Sequence, residues 1–474
     1  MTRQSSVLII GAGISGLSSA WWLSQHGIHS ILLEQAKRSG GLIDSTDQDG
    51  YLTDHAASMI LNFDSAVSRF ISESGLQKHR VNRNPVAKRY VLKNSELAEV
   101  PVNIREMLCS DLFSFKTRIQ MITEAFRCCR RSEWESVAAF IRRRLGQEIL
   151  DLAIDPYVSA VLACDPEKAC ARSTLPRLTA LENEFGSITA GVLIKKLLPG
   201  KRGLPQEAFS FSGGMKTLVD TLAENPLAEI HTGQQVIALE PLKSGWRVTA
   251  SDNTTELQYQ TRHVIFSTPA NIACKLLKPI HPKLSALLNQ IEYAPIAQIH
   301  LGFDRGAFSK PLDGSGFLVP SREKTPIRGS LWISNLIANR APEGKLLTSN
   351  FIGGACQADA LKNPDRVLVD QTLRALQNLC GLKGSPEMIR INRHHQGLPL
   401  YHGNYHRLTQ AINRYEGRCD GLHFVANYLQ GISIRDRIIQ AKTVADQIST
   451  RMTEGTTSRP AYVWTNADEV LNRV

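Results

Sequence analysis

Apolar positions fall into short unbroken runs near the N-terminus. Val7-Leu8-Ile9-Ile10 and Ile31-Leu32-Leu33 are apolar throughout, the pattern of strands covered on both faces in a parallel sheet. Between them Leu17, Ala20, Trp21, Trp22 and Leu23 form an apolar helical stretch. The pattern predicts a strand–helix–strand unit. Further along it changes to alternation over 235–239, 246–250 and 263–267, which predicts a β-meander returning to the parallel sheet, its last strand ended by Thr268-Pro269. A helix is expected over 216–222, after Phe211-Ser212-Gly213-Gly214-Met215. From about 285 to 410, strands such as 297–303 and 347–353 mix with helices. Leu422-His423-Phe424-Val425-Ala426-Asn427 reads as one more strand, followed by Gly431-Ile432-Ser433-Ile434 and a helix over 435–448.

The join between the first strand and its helix is Gly11-Ala12-Gly13-Ile14-Ser15-Gly16, and Glu34 closes the second strand. In such a unit the first glycine permits the tight turn, the second lets backbone approach a pyrophosphate, and the third lets helix and strand pack closely. The helix N-terminus offers N–H groups to phosphates, and the carboxylate suits a ribose hydroxyl pair. A glycine-rich turn in an ordinary βαβ unit is the alternative, but both strands, the helix and the acid stand in register for a dinucleotide. After Glu34 come Gln35-Ala36-Lys37-Arg38-Ser39-Gly40-Gly41-Leu42. A basic residue before a glycine pair resembles the RxGG motif of amine-oxidase-type flavoproteins and favours FAD over NAD. Arg38 can neutralise phosphate charge, and Gly40 and Gly41 admit close backbone approach.

Length and charge refine this picture. A chain of 474 residues suggests two or three domains. No stretch reaches the roughly 18 apolar residues of a membrane span. The cofactor strand begins by Val7, which leaves no room for a leader segment and predicts a cytoplasmic, bacterial protein. Nine cysteines are scattered without CxxC spacing, and Cys128-Cys129 is no metal or redox pair, so reduced thiols are expected. The net charge is +11. Basic residues gather between Lys116 and Gln147, where Ile119, Ile122, Ala125, Phe126, Val137, Phe140, Ile141 and Leu145 recur at helical spacing and Arg142-Arg143-Arg144 closes the run. Two readings stand: a solvated face on a core helix, or docking on an anionic membrane at its inner face. Nucleic acid is not expected, because no binding motif accompanies the charge.

Segments along the whole chain carry a closer resemblance. Lys88-Arg89-Tyr90-Val91-Leu92 with Val100-Pro101, the stretch from Ser136 to Glu148, Asp155-Pro156, Asp165-Pro166, Leu181-Glu182, Gly186-Ser187, Phe211 to Met215, Gly397-Leu398-Pro399-Leu400-Tyr401 and Ala426 to Asp436 are similar to the protoporphyrinogen oxidase branch of the FAD-containing amine oxidase superfamily. The resemblance implies an α/β fold: a Rossmann-type FAD-binding domain (1–84, 205–280, 412–450) interrupted by a mixed-sheet substrate-binding domain (85–104, 281–411) and an α-helical, membrane-associating domain (105–204), with a polar tail at 451–474. It implies hydride removal from a porphyrinogen, with electrons passing through noncovalent FAD to oxygen or another acceptor. It places Gly11, Gly13, Ile14, Ser15 and Gly16 at the pyrophosphate, Glu34 and Gln35 at the ribose, Arg38, Gly41 and Leu42 beside them, and Val236 at the adenine. Ala57, Ser58, Ala426, Asn427, Ile432, Ser433 and Ile434 fall near the flavin ring. Arg89 matches an arginine that pairs a substrate propionate, and Ala160 falls at the substrate. No metal cluster or Ser/His/Asp triad is expected; a second copy of the chain is a candidate partner.

Three departures bear on the substrate. Asp54-His55-Ala56-Ala57-Ser58 lacks the family's Gly-Pro, and His55 becomes a candidate for proton transfer. Ala160-Val161-Leu162-Ala163-Cys164 carries side chains at two small hinge positions. Ala426 replaces a glycine. One extra methyl can reshape a packed pocket. A flavin oxidase or desaturase of another cyclic or amine-bearing metabolite therefore stays open, as does a non-catalytic binder of FAD or porphyrin. His394 and His395, adjacent on a strand, point to opposite faces, and a structural role is expected for them.

Overall fold

The computed structural model describes residues 2–85, 88–101, 104–127, 135–197 and 205–453. The expected tail beyond 453, Cys128-Cys129 and residues 198–204 of the expected helical domain lie outside the described residues.

The strand Thr2–Ile10 is the centre of a seven-stranded sheet. Ser30–Glu34 and then Ala228–Thr232 run parallel on one side of it, and Glu256–Phe266 runs parallel on the other. Val7 and Ile9 pack into one core while Leu8 and Ile10 pack into another, so both faces are covered as the unbroken apolar run predicts. The meander is present as Gln235–Pro241, Trp246–Ser251 and Glu256–Phe266, joined antiparallel. The last of these strands has two halves on its outer edge. Residues 256–261 pair with the meander, and Val264–Phe266 pair in parallel with Leu422–Phe424. That final strand is shorter than the sequence suggested. Val425 still donates to Phe266 O at 2.9 Å, but the chain then turns at Ala426, whose N–H is taken by Gln440 Oε1 at 3.1 Å. Helices Ile14–Gln25 and Ile434–Thr453 pack together on one face, and Trp22 Nε1 donates to Ile438 O at 3.1 Å.

A second seven-stranded sheet runs in the order Met388–Pro399, Tyr293–Asp304, Lys345–Gly353, Gly329–Trp332, Gly314–Leu318, Lys88–Lys93, Glu96–Glu99. One face carries Ala297, Ile299, Leu301 and Phe303 against the helix Asp365–Cys380. The other face looks away from that helix, and Tyr51 lies against Gly302 there. A small sheet of Ile60–Asn62, Glu207–Phe211 and Arg80–Asn82 ties distant segments together. The stretch 104–197 is helical, with two wide turns, Leu150–Ile154 and Tyr157–Val161, on either side of Pro156, a helical irregularity that recurs at functional sites. Among the described residues no helix is long and apolar enough to cross a membrane, and no disulfide joins the cysteines.

Candidate active site

The glycine turn forms as the sequence demands. Gly11 has φ +99°, and its N–H donates to Leu33 O at 2.8 Å. A Cβ on Gly16 would lie 2.1 Å from Gly11 O, so only glycine lets the helix start this close to the strand. Gly13 caps the helix Ile14–Gln25 without any side-chain bond, which leaves the first-turn N–H groups of Ile14, Ser15 and Gly16 open to an anion. The second glycine pair closes on this turn. Gly40 N–H donates to Ala12 O at 2.7 Å, and Gly41 takes φ +60°, where a Cβ would lie 3.2 Å from Gly13 Cα. Leu42 beside it is exposed. Ser267, which sequence reasoning had not singled out, fastens the turn: its Oγ donates to Ile10 O at 2.8 Å and Gly11 O at 2.7 Å.

Glu34 is buried at the end of its strand. Its two carboxylate oxygens accept from Ala12 N and Ala36 N, each at 2.8 Å. The carboxylate is therefore fixed between the glycine turn and the chain that leads to Gln35, with lone pairs still available. Arg38, expected at a phosphate, also holds its own loop. Its guanidinium donates to Ser39 O, Gly41 O and Ile43 O, and lies 3.6 Å from Asp44. It shapes the glycine loop from within. Val236 is buried just past Gly233 and Gln234, whose N–H groups donate to Ala36 O and Glu34 O at 2.8 Å. The Val236 strand thus starts beside the acid.

A second helix start stands at the other end. Ser433 and Asp436 cap each other at the entry to Ile434–Thr453: Ser433 Oγ accepts from Asp436 N at 3.1 Å, and Asp436 Oδ2 accepts from Ser433 N at 3.2 Å. Gly431, at φ +96°, has no room for a Cβ against Asp436, and its carbonyl accepts from buried Arg437 at 2.8 Å. Ile432 and Asn427 are half-buried beside it, and Ala426 is buried.

Asp54 is the hinge of the site, and burial raises its pKa against the pull of the Arg340 cation. Arg340 Nη1 lies 3.2 Å from its carboxylate, and Ser45 Oγ and Met215 N donate to it at 2.7 Å. Arg340 sits in a polar loop with no motif around it, so no sequence signal marked it. Ala57 is exposed, and Ser58 bonds back to Asp54.

His55 is hydrogen-bonded through one ring nitrogen and has a carboxylate near the other. Nε2 lies 2.9 Å from Thr46 Oγ1 and 3.1 Å from Arg390 Nη2, and Nδ1 lies 3.7 Å from Asp44. Arginine can only donate, so Nε2 is the acceptor and Nδ1 carries the hydrogen. Burial lowers the His55 pKa, Asp44 pulling the other way. His394 contacts His55 O at 2.6 Å, while His395 is exposed on the opposite face. On this inner face the register sets Gln298 beside Asn392, and His300 beside Arg390. Gln298 Nε2, Asn392 Nδ2 and Arg390 Nε are buried without partners, a row of donors that the alternation pattern alone did not reveal.

In the helical stretch, Ala160 lies half-buried on the wide turn Tyr157–Val161, and Ala163 takes φ +56°, a left-handed conformation that favours glycine. The arginine run is not a free basic surface. Arg142 pairs with Glu167, Arg143 with Glu135 and Glu182, and buried Arg144 with Glu124 and Glu182. Val137, Phe140 and Ile141 are core residues, whereas Ile119, Ile122 and Phe126 are exposed together with Phe115. Arg89 is exposed at the start of Lys88–Lys93. It alternates with Tyr90 and Leu92, which pack toward the helix side, and so lies on the inner side with Val91.

The sequence pattern of the flavin-containing amine oxidoreductases matches residues 14–449. The chain belongs to that family. It is a FAD-dependent oxidoreductase with the family's α/β fold. Protoporphyrinogen oxidase 2, chloroplastic/mitochondrial, of Arabidopsis thaliana is 28% identical over 93% of this chain and 93% of its own length. Coproporphyrinogen III oxidase of Bacillus subtilis (strain 168) is 25% identical over 94% of this chain and 98% of its own. A solved structure from Exiguobacterium sp. 255-15 superposes with a TM-score of 0.79 over 95% of this chain and 99% of that one, at 21% identity, which bears on the fold alone. The cradle fits FAD on its own geometry: Gly16 and Gly40 where a Cβ would clash, an uncapped helix start for phosphates, and a buried acid at the end of the second strand.

Proposed function

We propose that the protein oxidises a porphyrinogen, proto- or coproporphyrinogen, to the porphyrin. FAD, when bound, supplies the hydride acceptor. The rest falls to the chain. Gly11, Gly13 and Gly16 with the first turn of Ile14–Gln25 would seat the pyrophosphate, Glu34 the ribose, and the start of Ile434–Thr453 would favour negative charge at the ring. The macrocycle would lie between the inner face of the second sheet and the turn at Ala160, with Arg89 on a propionate. His55 Nε2 lies 3.1 Å from Arg390 Nη2 and 2.9 Å from Thr46 Oγ1, and we assign it to holding Arg390 and the 54–58 stretch. The observation that carries this reading is similarity along more than nine-tenths of the chain to enzymes named for these two substrates.

The three-part division belongs to the same reading: residues 1–84, 205–280 and 412–450 for FAD, 85–104 and 281–411 for the substrate, and the helical stretch for docking. Phe115, Ile119 and Ile122 recur at helical spacing along Phe115–Ile122, and all are exposed, as is Phe126 beyond it. An anionic membrane surface is the partner that suits such a stripe beside Lys116. The test mixes flavin-loaded protein with freshly reduced protoporphyrinogen and coproporphyrinogen and follows porphyrin fluorescence. Growth well above the rate without protein is expected with one of them. No growth with either, from protein that retains its flavin, would refute the reading.

A further inference from the structure

Asn392 lies between two residues that hold His55. Along Met388–Pro399 the inner face carries Arg390, Asn392 and His394 in turn. Arg390 Nη2 is 3.1 Å from His55 Nε2, and His394 Nε2 is 2.6 Å from His55 O. Asn392 is thus bracketed by contacts to the start of the stretch that leads to Ala57 and Ser58, which the family resemblance puts near the flavin ring. Gln298 of Tyr293–Asp304 is directly opposite Asn392, so their Cβ atoms are about 5 Å apart. On its other side Gln298 is opposite Phe351, which has no side-chain acceptor. The next pair along this face is occupied: His300 Nδ1 meets Ser349 Oγ at 2.7 Å, and Arg390 meets His55. Gln298 is 2% exposed, yet its Nε2 has no acceptor, and neither has the buried Nδ2 of Asn392. A buried amide donor left unpaired is costly. Two side by side call for an acceptor that belongs with them.

We propose that Gln298 and Asn392 form a two-pronged donor for the C4 carbonyl of the flavin ring. A carbonyl oxygen has two lone pairs, so it can take one N–H from each amide. The pyrrole nitrogens of a porphyrinogen all carry hydrogen and need acceptors, so they do not match the open atoms of this pair. When the ring takes up electrons its carbonyls share the added negative charge. The two bonds then strengthen, and the pair favours reduced over oxidised flavin.

The test uses flavin-loaded protein without substrate, so it stands apart from the porphyrinogen reading. Gln298→Met and Asn392→Leu each remove one donor at similar volume. Each is expected to weaken binding of reduced flavin relative to oxidised flavin by about tenfold, the scale of one bond to a charged group. That lowers the two-electron potential by about 30 mV. The infrared stretch of the C4 carbonyl, identified with flavin isotopically labelled at that carbon, should move to higher frequency in both variants. Gln298→Asn keeps an amide one methylene short and should shift both readings in the same direction, so it carries the test if Gln298→Met does not hold FAD. Potential and stretch unchanged in the variants would overturn the proposal. A potential that falls while the C4 stretch stays in place would overturn it too, because the side chains would then act on the ring through packing alone.

Discussion

Replacing Phe115 and Phe126 with serine tests membrane docking. Their side chains are 75% and 85% exposed, so the folded protein gives up little packing when they are lost. Burying a phenylalanine side chain fully is worth about 1.5–3 kcal/mol. At these exposures the pair has roughly 2–5 kcal/mol still to gain from an apolar phase. An interfacial helix buries its face only partly, so the lower end, about 2 kcal/mol, is the better guide, and it corresponds to about thirtyfold in partition. The assay is co-flotation with vesicles containing anionic lipid, against vesicles of neutral lipid alone. Wild type should bind the anionic vesicles, and the Phe115→Ser/Phe126→Ser variant should bind at least an order of magnitude less while keeping its flavin spectrum. Equal binding of the two proteins, or no binding by wild type, would refute the reasoning. Substituting Arg143 should matter far less, because its charge is spent on the largely buried carboxylates of Glu135 and Glu182.

Two further outcomes follow from the site. Glu34→Gln keeps one acceptor and loses the other along with the charge, so FAD affinity should fall by about tenfold, the scale of a charge-assisted bond. Fluorescence of released flavin on dilution would show it, and unchanged retention would remove Glu34 from the cofactor site. The Glu416 carboxyl is pushed up to about 7 by burial, although Phe424 N–H donates to it. Its ordinary value is 4.5. Folding therefore takes up a proton between those values, and the stability from this group is present at low pH and lost as pH rises through 7. Compared with wild type, Glu416→Gln should gain melting temperature steadily from pH 5 to 8. A difference independent of pH would show that Glu416 ionises as an ordinary carboxyl.

The nucleotide half was legible because each signal was local. Unbroken apolar runs gave strands covered on both faces, and Gly16 answers a contact with Gly11 only five residues back. What stayed hidden depends on distant partners. Arg38 reads as a phosphate neighbour, and its hold on the Ser39, Gly41 and Ile43 carbonyls depends on loop geometry that the sequence does not spell out. Arg142-Arg143-Arg144 looked like a surface charge run, but the helix Val137–Arg144 turns it onto Glu124, Glu135, Glu167 and Glu182, spread over some sixty residues of sequence. Arg340 meets Asp54 across nearly three hundred residues. Leu422–Phe424 stops short because the Ala426 N–H is taken by Gln440 of the final helix.

The order in which the first sheet is assembled also sets a timetable. Its central strand ends at Ile10, but the strand Leu422–Phe424 and the packing partner of Trp22, the helix Ile434–Thr453, arrive last. At roughly 5–20 residues per second of synthesis, a ribosome needs about 20–80 s to travel from one to the other. Throughout that interval the glycine turn exists without the helix Ile434–Thr453. Until Leu422–Phe424 emerges, Val264–Phe266 has no partner strand on its outer edge.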